Sequence, residues 1–249
     1  MSKNLIIGIT VLALIIFAVI YFGFGDSGKI TLLNIEDNTT IFVDGALEKT
    51  ISRGKEAVNL NVSSGEHTVL VSREGYWPWL KEVEVVMEEI LTLSPFAISQ
   101  STPGFFIPEN DSEYQSIMTL FGEDELPSSE NKKISSDENI GIWINGGSLF
   151  VEWLGEEEEK PMYFCDEFGC HDMFNAFTSS ANIRNLDFYK NRNDIFILSF
   201  GTGIFAIEAD KTGTQNFQPI FDGYSPEFVK NDSKTIYLLD NNSLSILEI

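Results

Sequence analysis

Cysteine and histidine are scarce in this sequence. Its 249 residues hold two of each: Cys165 and Cys170, His67 and His171. That scarcity narrows the chemistry available. Neither histidine accompanies a nucleophile motif of the G-x-S-x-G kind, so a Ser-His-Asp or Cys-His arrangement has little to be built from. Structural zinc sites draw on a second ligand pair, and the chain has no second cysteine pair. Neither a P-loop nor a dinucleotide-binding unit appears, and no cofactor is implied. Basic residues are also few, 16 Lys and Arg against 38 Asp and Glu, for a formal net charge of −22. A surface of that sign repels phosphate backbones, which excludes nucleic acid as a natural partner. It favours solubility and stands off anionic headgroups. In so acidic a chain, paired carboxylates arise everywhere and do not by themselves identify a glycoside hydrolase.

Charge is wholly missing from Leu5 to Phe24, as is proline. Fourteen of those twenty residues are Leu, Ile, Val or Phe. Twenty residues at about 1.5 Å of helical rise span about 30 Å, the thickness of a bilayer's hydrocarbon core. A secretory signal has a shorter apolar core of about 7 to 15 residues and ends in small residues. Here the run ends in Tyr21-Phe22-Gly23-Phe24-Gly25, and its aromatics suit the membrane interface. The expectation is therefore a retained single-pass anchor over residues 1–25, with residues 5–24 in the lipid bilayer. Lys3 and the amino terminus precede the run and Asp26 follows it, so the N-terminus is expected in the cytoplasm and the C-terminal domains outside the cell.

Beyond the run, residues 29–96 alternate apolar and polar positions in strand-length pieces. Examples are Lys29–Ile35, Thr40–Val43, Ala57–Val62, His67–Ser72 and Val83–Val86, with turn signals at Asp44-Gly45 and Ser63-Ser64-Gly65. Period two with frequent turns predicts a small all-β sandwich. The segments Ile41-Phe42-Val43-Asp44-Gly45, Gly65-Glu66-His67-Thr68-Val69-Leu70-Val71 and Gly75-Tyr76 resemble the PEGA domain family. The family's name-giving Pro-x-Gly-Ala stretch is replaced here by Glu36-Asp37-Asn38-Thr39. The resemblance implies a β-sandwich of microbial surface proteins with no catalytic activity. Within it, His67 reads as a packing or hydrogen-bonding residue rather than a ligand. Tyr76, Trp77 and Trp79 form the candidate binding surface: exposed, they would make an aromatic platform for a sugar or a partner, and packed, they would close one end of the sandwich.

Prolines 95, 103, 108 and 127, and the polar run Glu123–Glu138, make residues 97–138 read as a linker, with a short helix or strand at Tyr114–Phe121 and Phe105, Phe106 and Ile107 packing on a neighbouring domain. Residues 139–249 then repeat a pattern of strand, tight Gly or Asn turn, and second strand. It occurs at Asn139–Val151, Asp194–Ile207 and Thr235–Leu247. Each copy predicts a β-hairpin. The last two, preceded by the strands Asn185–Asn191 and Pro226–Asn231, are about 40 residues apart, the period of a propeller blade. The pattern resembles WD-repeat-like β-propeller blades. It covers too little chain for a closed ring of four or more, so a partial propeller, self-association or another hairpin-built fold all remain open.

Cys165 and Cys170 bracket Asp166-Glu167-Phe168-Gly169, with His171 next. Outside the cell a disulfide leads over free thiols, or over a metal site completed by His171 and Asp166 or Glu167. Glu156–Glu159 reads as a solvated loop, with weak calcium capture as the alternative. Together these features predict a membrane-anchored, all-β surface protein that is not an enzyme and acts by non-covalent contact, with an envelope protein or a cell-wall polysaccharide as partner. An envelope structural subunit without a small ligand, and a surface carbohydrate-active enzyme using carboxylates, are the alternatives.

Overall fold

The computed structural model describes residues 27–166 and 168–249. The apolar run expected to anchor the chain lies outside the described residues, as does Glu167. Among the described residues no helix is long and apolar enough to cross a membrane.

The N-terminal module consists of β1 (Ser27–Ile35), β2 (Thr39–Val43), β3 (Ala46–Ile51), β4 (Lys55–Ser63), β5 (Gly65–Arg73), β6 (Trp79–Val85) and β7 (Ile90–Leu93). They form two sheets, ordered β4-β1-β7 and β3-β2-β5-β6. Alternation decides which side chains meet between them. Ile30 and Leu32 of β1, Ile41 and Val43 of β2, Val58 and Leu60 of β4, and Val83 and Val85 of β6 share one core. The β2–β3 hairpin closes through Asp44 and Gly45 at φ of 51° and 76°, the two positive-φ positions that a two-residue turn matching strand twist requires.

Residues 97–138 are more than the expected linker. They carry β8 (Gly104–Phe106), the helix α1 (Tyr114–Glu123) and β9 (Lys133–Ile134). The helix lies where a short helix or strand is expected, at Tyr114–Phe121; the proline-rich, charged composition hid the two strands, each too short to show a period. Their order comes from partners distant in sequence. Phe105 pairs with Ile246 and Phe106 with Ser245, while the amide of Glu248 bonds the carbonyl of Pro103 at 2.9 Å. Phe105 and Phe106 stay mostly exposed, contrary to their expected packing.

The remaining strands are β10 (Ile140–Asn145), β11 (Ser148–Trp153), β12 (Cys165–Asp166), β13 (Gly169–Cys170), β14 (Met173–Thr178), β15 (Ile183–Phe188), β16 (Ile195–Phe200), β17 (Gly203–Glu208), β18 (Phe217–Asp222), β19 (Glu227–Lys230), β20 (Thr235–Asp240) and β21 (Ser243–Glu248). All three expected hairpins are present, as β10–β11, β16–β17 and β20–β21. Each sits in a four-stranded antiparallel meander: β14-β11-β10-β9, β15-β16-β17-β18, and β19-β20-β21-β8. The third meander is thus completed by a strand from well upstream.

The second meander is the middle layer. Ile195, Phe196, Ile197 and Leu198 of β16 are all fully buried. Ile195 and Ile197 join the core shared with the N-terminal module and the third meander, and Phe196 and Leu198 join the core shared with the first. This is why β16 reads as a continuous apolar run instead of an alternating one. Polar side chains pin the meanders at their first strands. Asn185 Oδ1 accepts from Ser199 Oγ at 2.8 Å and from the amide of Phe228 at 3.0 Å, linking the second meander to the third. Lys133 of β9 reaches Asp187 of β15 at 2.7 Å.

His67 takes the hydrogen-bonding role expected of it. Its Nδ1 lies 2.7 Å from Asp44 Oδ2 and its Nε2 lies 2.8 Å from the carbonyl oxygen of Ser63. Both neighbours can only accept, so both contacts are hydrogen bonds only when the ring is protonated and donates from both nitrogens. Burial opposes the charge, but the Asp44 and Ser63 hydrogen bonds outweigh it and raise the histidine's pKa above its ordinary value. A raised folded pKa contributes stability that is complete below about pH 6.5 and is lost as pH rises through the folded value. His67→Gln should therefore cost about 1 kcal/mol at pH 5.5 and clearly less at pH 8.5. Thermal melts of both proteins at the two pH values check this; an equal gap at both would refute the charged pair.

Candidate functional site: a cleft between the modules

The aromatic trio expected to form a platform is divided by the fold. Along β6 the inward positions are 79, 81, 83 and 85, so Trp79 is buried at 1% exposure. Trp77, two residues earlier and outside the strand, is 38% exposed. Tyr76 is half-buried, with the Arg73 guanidinium 4.0 Å from its ring centre. The shared platform is therefore corrected: strand alternation turns Trp79 into the junction between the two parts of the molecule.

That junction contains what the sequence reading passed over. Lys81 follows Trp79 on the inward face of β6 and is also 1% exposed. Its ammonium lies 3.3 Å from Glu208 Oε2, 3.1 Å from Asp210 Oδ2 and 2.9 Å from the Asp210 carbonyl oxygen. Glu208 ends β17 and is itself buried. Its Oε2 also accepts from the backbone amide and side-chain amide of Asn216, at 3.2 and 2.9 Å, and its Oε1 faces Trp79 Nε1 at 3.4 Å. Burial raises the Glu208 pKa, and Asp210 adds to the rise, while Lys81 and Asn216 act against it. The available signal was register: in Trp79-Leu80-Lys81-Glu82-Val83-Glu84-Val85 the lysine occupies an apolar position.

Side-chain amides extend the junction by imitating strand pairing. Asn216 accepts from the Leu80 amide and donates to the Leu80 carbonyl, both at 2.9 Å. Gln218 accepts from the amide of Ile98 at 2.8 Å and donates to the carbonyl of Pro78 at 3.1 Å. Gly213 presses on the same strand: a Cβ there would lie 2.1 Å from the carbonyl oxygen of Glu82, and its φ is +62°. Only glycine meets both conditions.

Beside this network the two modules enclose a cleft of about 590 Å³. Trp79, Val83, Leu91 and Leu93 wall one side, and Pro161, Met162 and Tyr163 the other. Lys81, Asp194, Glu208 and Asp210 supply its charged groups, and Glu84 stands exposed at the rim. The carboxylate of Asp194 is held by Arg192 through two bonds of 2.6 Å, and Arg192 also donates to the carbonyl of Ser94 at 2.7 Å. The Tyr163 hydroxyl is buried with no hydrogen-bond partner among the described residues. Burial holds that phenol protonated, helped by the charges of Asp194 and Asp210.

Cys165, at the cleft's margin, is disulfide-bonded to Cys170 across the β12–β13 hairpin. The bond consumes both thiols that the alternative metal site needed. His171 turns instead to Asp166, at 3.1 Å. Glu157–Glu159 is an exposed 3₁₀ turn, and Lys160 pairs with Glu157 and Asp172 at 2.7 Å each. Among the described residues no group of three or more His, Cys, Asp and Glu is placed to hold a metal ion.

No protein-family model matches the chain, and no curated protein does. Among solved structures it is similar to one from Bacteroides fragilis NCTC 9343, a protein of unknown function whose description proposes membrane association. The identity is 10%, over 90% of this chain and 98% of that one, with a TM-score of 0.21.

Removing one partner of a buried ion pair leaves an uncompensated charge and costs about 3–5 kcal/mol, whereas replacing both by apolar residues is often neutral or stabilising. Lys81→Met should accordingly lose about 3–5 kcal/mol in urea unfolding, and Lys81→Met combined with Glu208→Leu should recover most of it. A single substitution costing under about 1 kcal/mol would show that the pair does not hold the junction.

Proposed function

We propose that this chain is a membrane-anchored binding protein of the cell envelope and that the cleft between its modules is the ligand site. In this reading residues 5–24 span the bilayer with the N-terminus in the cytoplasm, and the β-rich body faces outward. The N-terminal module is the PEGA-like spacer. The three meanders are propeller-like blades in an open arrangement, and their outer surface is available to an envelope protein or a cell-wall polysaccharide.

One observation carries the binding reading. The 590 Å³ cleft has one wall from each module, and a buried ion pair fixes those walls against each other. Sites that bury most of a small ligand's surface are concave, mainly apolar, largely preformed and supplied with a few polar groups, and they favour junctions of this type. The disulfide supports an extracytoplasmic setting, since such bonds persist where the surroundings are oxidising.

Two measurements test the proposal. After alkaline carbonate washing the full chain should stay with the membrane pellet, and protease added to intact cells should cut it; release into the supernatant, or protection from protease, would overturn the topology. In native mass spectrometry the full chain, extracted in mild detergent, should carry a small-molecule adduct that Thr92→Trp, which fills the cleft, eliminates. The same spectrum from both proteins would sink the cleft as the ligand site.

A further inference from the structure

The charged hydrogen-bonding capacity in the cleft is one-sided. An ammonium has three donors, and those of Lys81 are spent on Glu208 Oε2, Asp210 Oδ2 and the Asp210 carbonyl. Arg192, behind Asp194, is committed to that carboxylate and to the carbonyls of Ser94 and Pro95. Glu208 is saturated by Lys81, Asn216 and Trp79, but the carboxylates of Asp194 and Asp210 are not exhausted, because each oxygen offers two lone pairs and accepts one bond. Asp194 and Asp210 each keep 22% side-chain exposure. Glu84 at the rim makes no ion pair among the described residues. Four carboxylates thus line the cleft against one ammonium. The charge that remains to be satisfied by a newcomer is negative and accepting; the hydroxyls of Thr92, Ser94 and Thr212 are neutral and can donate or accept.

The mouth has the opposite character. Its lips are Ile90, 61% exposed, and Met162, 80% exposed, one from each module. Ile90 pairs with Lys29, and the amide of Lys29 bonds the carbonyl of Glu89 at 3.1 Å. Lys29 is only five residues beyond Phe24, the end of the apolar run. At most about 18 Å of chain therefore separates that run from Lys29, the strand neighbour of the apolar lip. Exposed large aliphatic side chains beside a membrane span favour contact with apolar matter from that side.

We propose that the cleft binds a small amphiphile, with a protonated amine at the unspent carboxylates and an apolar body against Leu91, Leu93 and Met162, entering from the membrane side. This rests on reading the cleft as a ligand site and residues 5–24 as a bilayer span. Carboxylate or phosphate head groups are disfavoured because no charged donor in the cleft is free to meet them. The buried Tyr163 hydroxyl, without a partner among the described residues, adds a neutral group that can donate or accept in the cleft wall.

The test uses the full chain in phosphatidylcholine nanodiscs, titrated with n-octylamine, n-octanoate and 1-octanol, with empty nanodiscs as the reference for partitioning. Binding is read by calorimetry and by tryptophan fluorescence, since Trp79 lines the cleft. Octylamine should bind at least tenfold more tightly than the other two. Glu84→Gln, at an exposed position where folding is undisturbed, should weaken octylamine about threefold, and Thr92→Trp should abolish it. Octanol or octanoate binding as well as octylamine, all blocked by Thr92→Trp, would overturn the amine preference while leaving the cleft a ligand site. If none of the three binds above the empty-nanodisc reference, the cleft reading fails with it.

Discussion

A lysine ammonium buried in the seam between two β-structured modules is the constraint on which the rest of this molecule depends. Apolar surfaces can slide past one another at little cost, because the contact area changes slowly with displacement. A buried charge cannot slide, because it must find its counter-charge and its hydrogen bonds within about 3 Å or lose several kcal/mol. Lys81 meets that requirement at one place, the end of β17, where Glu208 and Asp210 converge. Trp79 and the Asn216–Leu80 pairing fit the same register. The network therefore selects one docking of β6 upon the second meander among the many that hydrophobic contact alone would permit. The cleft beside it inherits its shape from that choice.

The rest of the chain is tied together by similarly non-local dependencies. The third meander needs Gly104–Phe106 as its fourth strand, so the C-terminal hairpin is completed by residues that precede the first meander. Asn185 joins the second and third meanders through a backbone amide, and Asp187 receives Lys133 from the first. Each link is short in space and long in sequence. Loop closure grows only slowly in cost with loop length, by about 0.6 kcal/mol per doubling, so such links are affordable once the layers pack.

Local rules made much of this legible in the sequence. The three hairpins announce themselves through tight Gly-Gly, Gly-Thr and Asn-Asn turns, and Gly146, Gly147, Asn241 and Asn242 all take positive φ. The N-terminal strands follow from period two, and His67 could be read as a hydrogen-bonding residue from its place in a strand. Features that need a partner far along the chain were not legible. The strand at Gly104–Phe106 is three residues long and exists because β21 presents an edge to it. Trp77 and Trp79 look equivalent by composition, and only the register of β6 sends one to solvent and the other inside. Lys81 was readable in principle, as a charge at an inward position of an alternating strand. That anomaly gains meaning only when the opposing carboxylate is known.

Placement of the cations gives the acidic composition a sharper meaning. The net charge of −22 counts all 16 basic residues, yet several of them are spent within the fold. Lys81 is buried in the seam. Arg192 fastens the segment after β7 to the turn before β16. Lys133 and Lys230 stitch the first strands of the meanders through Asp187 and the carbonyls of Phe188 and Lys190. Basic side chains used in this way have their donors committed to internal acceptors and cannot offer them to a partner. The surface met by a ligand or neighbour is thus more uniformly accepting than the residue count implies. Anionic partners are repelled at a distance and find few free donors at contact. A partner that brings its own positive donors meets attraction at long range and unspent lone pairs at short range. Both effects follow from one allocation, in which this chain uses its scarce cations to hold itself together.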